Sequence, residues 1–83
     1  MSSIHDPRYK KLIVGLISTR ETLNITQVQL ATTLKKPQSY VAKVENLDRR
    51  IDIIELVDWL EALNIPSGKY FLLLQHLKKL TLE

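Results

Sequence analysis

The sequence contains no cysteine. Disulfides and cysteine-ligated zinc are therefore excluded, and the chain suits a reducing compartment. It has only two glycines and three prolines in 83 residues, so little interrupts a helix and no glycine-rich phosphate loop is present. The two histidines, His5 and His76, lie near opposite ends, with no HExxH motif and no Ser-His-Asp order. Asp52, Glu55, Asp58 and Glu61 spread over half a helical wheel and read as a solvated acidic face rather than a metal cluster. No apolar run approaches the roughly 20 residues of a membrane span. The first seven residues, Met1 to Pro7, have no apolar signal core. Strand alternation, repeats and low-complexity segments are missing as well. A cytoplasmic, soluble protein is expected, with no cofactor, no metal, no membrane partner and no enzymatic activity.

Hydrophobic residues make up 45% of the chain, as in an ordinary globular domain, so residues 1–83 are expected to form one domain with one small core. The net charge of +3 is unevenly distributed. Through Ile51 nine Lys and Arg face four acids; from Asp52 onward three Lys face five acids. A basic half points to a polyanionic partner.

Five helices are expected. Asp6-Pro7 starts the first, with Tyr9, Leu12, Ile13, Leu16 and Ile17 at helical spacing to about Thr22, and Asn24 suits a left-handed stop. Thr26-Gln27-Val28-Gln29 is a capping box that opens a short second helix to Leu34. Lys35-Lys36 turns, Pro37 opens a third helix ending near Asn46, and 47–51 form a basic loop. Asp52-Ile53-Ile54-Glu55 caps a fourth helix with Ile53, Leu56, Val57, Leu60 and Leu63 on one face, stopping at Asn64. Pro66-Ser67 precedes a fifth helix, to about Leu80. Two short helices joined by a tight turn, about 26–46, describe a helix-turn-helix.

On the third helix Tyr40, Val41 and Val44 share one side, and Gln38, Ser39, Ala42, Lys43 and Asn46 share the other, at about 100° per residue. The outward face admits two readings. One is a solvated surface. The other is a major-groove reader, since Gln and Asn pair with adenine, Lys with guanine, and Ala touches a thymine methyl. Thr26-Gln27 places a helix N-terminus beside the turn, where a phosphate can bind. Lys36, Asn46, Arg49 and Arg50 flank the third helix or end it and can hold phosphates. Arg20 continues the inward row of the first helix and needs a partner there; Glu45, at the edge of the outward face, is expected to supply it. An arginine that snorkels to water is the alternative.

Here the sequence resembles the lambda-repressor-like, or Cro/C1-type (XRE), helix-turn-helix proteins. The residues that carry the resemblance are Arg20, "ITQVQLATTL" (25–34), "KPQSYVAKVEN" (36–46) and "RRIDIIELVDWLEALNI" (49–65). It implies a compact all-α, five-helix DNA-binding domain, usually a dimer on a near-palindromic operator. By position, Gln27 matches the glutamine that anchors phosphate and braces the reader. Gln38, Ser39, Ala42 and Lys43 match base-facing positions, and Arg20 with Glu45 matches a salt bridge between first and third helices. Lys35 and Leu47 stand where that family often has Gly, and Pro37 where it has Ser or Thr.

The fifth helix carries more apolar residues than one face holds: Phe71 and Leu72 fall outside its stripe, as Ile54 and Trp59 flank that of the fourth. These four suggest a surface for self-association or for a partner protein, the other reading being that Phe71 or Trp59 simply closes the core. The expected function is a sequence-specific, double-stranded DNA-binding repressor acting as a homodimer. The alternative is an antitoxin-type or other protein-interaction module using the last two helices. A toxin-like reading frame beside the gene would favour the second.

Overall fold

Asp6 and Pro7 set where the first helix begins. The Asp6 carboxylate accepts the Arg8 amide at 2.8 Å, and Pro7 sits in the first turn, where a missing N–H costs nothing. The Arg8 side chain grips the same carboxylate at 2.7 Å and holds its pKa down to about 2. The computed structural model describes residues 4–65. Within them lie four helices: α1 (Pro7–Thr22), α2 (Gln27–Leu34), α3 (Gln38–Glu45) and α4 (Ile53–Ala62). No strand occurs among the described residues. The expected fifth helix, with Phe71 and Leu72, lies outside them. No helix of the described residues is long and apolar enough to cross a membrane.

Capping boxes place two of the starts. Thr26 accepts the Gln29 amide at 3.0 Å while the Gln29 side chain accepts the Thr26 amide at 2.8 Å. Asp52 and Glu55 repeat this for α4 at 2.7 and 3.0 Å. α3 has no side-chain cap: Pro37 precedes it in extended conformation.

All four helices end in one way. The residue after each last turn is left-handed: Asn24, Lys35, Leu47 and Asn64, with φ of 59°, 58°, 64° and 59°. The next amide then reaches back five residues, from Ile25 to Arg20, Lys36 to Ala31, Asp48 to Lys43 and Ile65 to Leu60, at 2.8–3.0 Å. These are Schellman stops built without glycine. The two asparagines tolerate the conformation; Lys35 and Leu47 are strained by it.

The core joins Leu12, Ile13 and Leu16 of α1, Leu30 and Ala31 of α2, Tyr40, Val41 and Val44 of α3, Ile51, and Leu56, Trp59, Leu60 and Leu63 around α4. Two expectations for α4 are corrected here. Trp59 is 1% exposed and belongs to the core, not to a partner surface. Ile53 and Val57, expected on the buried face, point outward, with Ile53 65% exposed. The cause is the indole: its N–H donates to the Tyr40 hydroxyl at 3.0 Å, so the helix turns its Trp59 side inward and Ile53 outward. Ile54 is exposed.

Arg20 is the one charged residue of the buried set among the described residues. It donates to both oxygens of Glu45, at 2.7 and 2.9 Å, and to the Ile25 carbonyl at 2.8 Å. The carboxylate partner raises the guanidinium pKa further. Arg20 therefore does not snorkel. It ties α1 to α3 and closes the end of α1 through Ile25.

Three substitutions test the fold. Arg20→Ala leaves the Glu45 carboxylate buried without its cation and is expected to cost about 3–5 kcal/mol, read from the urea midpoint. The two glycine rules run in opposite directions. A Cβ at Gly15 meets nothing within 4 Å, so Gly15→Ala is expected to stabilise the helix by about 0.5–1 kcal/mol. Lys35→Gly is expected to stabilise by up to about 1 kcal/mol by removing a left-handed side chain. Thermal unfolding checks both.

Candidate nucleic-acid interface

The pair α2 and α3 with the turn 35–37 forms the expected helix-turn-helix. Lys35 (φ 58°, ψ 42°) reverses the chain, the Lys36 amide closes back on Ala31 at 2.9 Å, and Pro37 (φ −71°, ψ 155°) launches α3. The back of α3 is sealed: Val41 and Val44 are 0% exposed. Burial of that side turns the opposite side to solvent. Gln38, Ser39, Lys43 and Asn46 are exposed, and Ala42, between them, is half-buried. The structure thus brings the five outward residues onto one open face with hydroxyl, amide and ammonium groups.

One edge of this face is braced by a polar chain. Glu45 Oε1, already bonded to Arg20, also accepts from Gln27 Nε2 at 2.8 Å. Gln27 Oε1 in turn accepts from Gln38 Nε2 at 3.2 Å. Gln38 is left with its carbonyl oxygen and one N–H, the acceptor–donor pair that matches the adenine edge. Gln27 is half-buried, with both ends of its amide engaged inside the protein. Its first observable role is to hold Gln38 at a set angle; one N–H of its amide remains for another acceptor.

The other edge is cationic. Tyr40 lies roughly 200° around α3 from Gln38, at about 100° per residue. Lys36 stands 5.4 Å from the Tyr40 ring centre, and the Arg49 guanidinium 4.8 Å. Arg49 also bonds Glu55 at 3.0 Å and the Arg50 carbonyl at 2.8 Å. Burial pushes the Glu55 carboxyl upward, but the Asp52 amide, then Arg49 and Tyr40, outweigh it and leave its pKa below the usual range. Arg50 sits 5.3 Å from the ring centre of Tyr9, whose hydroxyl accepts the Ile51 amide at 3.1 Å. Three cations expected to hold phosphate are therefore each seated on a tyrosine.

Sequence reasoning places the cations near α3 but misses their seats. Tyr9, Tyr40 and Glu55 are legible there only as core or cap residues. The available signal is spacing: Tyr40 and Glu55 are both aromatic or acidic neighbours of a basic loop. Nothing in one sequence says that the α4 cap also grips Arg49. Among the described residues no group of His, Cys, Asp or Glu could hold a metal ion.

Three comparisons bear on this geometry. The helix-turn-helix family model HTH_3 matches residues 16–69. The solved structure of an XRE-family like protein from Pseudomonas syringae pv. tomato str. DC3000 is similar, with 38% sequence identity, a TM-score of 0.79 and 94% of each chain covered. No curated protein matches the chain.

Proposed function

The chain belongs to the Cro/C1-type (XRE) helix-turn-helix family of DNA-binding transcription regulators, and we propose that it is a repressor that binds a near-palindromic operator as a homodimer. The observation that carries this reading is the open α3 face with one amide aimed and a cation on each tyrosine seat. Gln38, Ser39, Ala42 and Lys43 read base edges. Gln27, Lys36, Asn46, Arg49 and Arg50 meet the phosphates that flank the groove.

The division of labour follows from what each group can distinguish. Bases differ in their edge donors and acceptors, so short side chains on α3 select sequence. Phosphates are identical along the duplex, so the cations set register and supply affinity without choosing sequence. A single α3 reads only a few base pairs. Two copies related by a two-fold axis would double the site and place the readers roughly 34 Å apart, one DNA turn. Exposed Ile53, Ile54 and Val57 on α4 supply apolar surface for such a contact. The protein acts in the cytoplasm, where no disulfide is needed. The same apolar surface also suits a second reading, a module that binds a partner protein of the antitoxin type.

Binding titrations against single-base variants of a selected operator test the assignment. Gln38→Ala is expected to relax preference at one base position, at a cost of about 1–3 kcal/mol. Arg50→Ala is expected to weaken binding to all sequences alike and to lower the salt slope by about one. If neither substitution changes the titration, the α3 face is not the reader.

A further inference from the structure

The cations beside α3 arise from separate places in the chain. Lys36 precedes the helix, and Arg49 lies four residues beyond its end. Both come to one ring, that of Tyr40. The ring could be held there by apolar packing alone, as Val41 and Val44 are. Its hydroxyl is instead engaged on both sides: it accepts from Trp59 Nε1 at 3.0 Å and donates to Glu55 at 3.3 Å. Glu55 is itself fixed, since the Asp52 amide bonds it at 3.0 Å. The Arg49 guanidinium then bonds that same carboxylate at 3.0 Å while lying over the ring. Tyr40 is 8% exposed, so these bonds are sheltered, whereas the Arg49 side chain remains 42% exposed.

Resting on the DNA-binding reading, we propose that Tyr40 is a positioning residue for DNA binding. Its hydroxyl, locked between Trp59 and Glu55, and its ring, beneath Lys36 and Arg49, preset the cationic edge against the reading face before DNA arrives. A long cationic side chain loses rotamer freedom when it docks; one that is already seated loses less. The buried end of the network fixes α4 to α3, and its exposed end offers the cation. Base reading and phosphate holding thus approach the duplex as one unit.

Tyr40→Phe isolates the hydroxyl, because the ring and its stacking remain. Trp59 is the sole tryptophan, so its fluorescence in the free protein reports the lost bond. An unchanged spectrum would contradict the hydroxyl contact. On a DNA sequence recovered by selection, the variant is expected to bind roughly two- to tenfold more weakly. Its salt slope should be unchanged, since no phosphate contact is deleted. In an Arg49→Ala background the same substitution should change affinity by less than about twofold, because the positioned group is gone.

Equal losses in both backgrounds would show that the hydroxyl acts only through the core and would overturn the proposal. So would unaltered affinity of Tyr40→Phe alongside intact wild-type binding. Should Tyr40→Phe lose cooperative unfolding, Glu55→Gln takes its place in the same cycle. Glutamine still completes the α4 capping box but no longer carries the charge that holds Arg49. Absence of wild-type binding to any selected DNA would remove the DNA-binding reading itself, a result distinct from a silent variant.

Discussion

The bidentate bond between Arg20 and Glu45 sets the orientation on which the interface depends. α3 has eight residues, too few to be stable alone, so its angle about its own axis must come from its neighbours. Packing of Val41 and Val44 sets which side is buried, yet apolar contacts are non-directional and tolerate rotation. The guanidinium does not. Its donors have fixed directions, and with Glu45 and the Ile25 carbonyl they meet matching acceptors in α3 and at the end of α1. Gln27 adds α2 to the same carboxylate, and Gln38 follows from Gln27. The angle of the first residue on the reading face is thus traceable, bond by bond, to a charge in the core. Desolvation of such a pair takes back much of its Coulombic gain, so its contribution lies in orientation more than in net stability.

The helix ends show a different balance, between local strain and tertiary need. Glycine would be the easier residue after each helix, but none of the four stops has it. Lys35 and Leu47 occupy the left-handed region because the backbone there must reverse within a few residues for α3 to lie across α2 and for the loop 47–51 to return to α4. Leu47 also packs against the core and Lys35 borders the turn, so their side chains have local uses. The strain is small beside the burial that the reversals allow.

Much of this was readable in the residues, and the failures have a common cause. Local signals acted as they do in isolated chains. Asp6-Pro7, the two capping boxes and Asn24 and Asn64 place helix ends to within about a residue, since each depends on a side chain bonding its own neighbourhood. The α3 wheel identifies its sealed side for the same reason. The α4 wheel is less successful: summing apolar residues ignores that an indole N–H must find an acceptor, and Tyr40 supplies it only in three dimensions. The seat of Arg50 is likewise long-range, on Tyr9, which bonds an amide 42 positions away, and that of Arg49 depends on Glu55 of α4 as well as on Tyr40. Arg20 is the instructive middle case. A charge in an apolar row announces that a partner exists, and the edge position of Glu45 on α3 points to which one.

Taken together, the interface has a reading face of short polar side chains, one edge aimed by an amide chain and another lined with seated cations. The family places this arrangement among DNA-binding regulators. The measurement that tests the account most directly is selection of bound duplexes from a random DNA pool at a stated salt concentration. The account predicts an inverted repeat whose half-sites are centred about one helical turn apart. Recovery of no motif, with only weak and strongly salt-sensitive binding, would contradict it and turn attention to a protein partner.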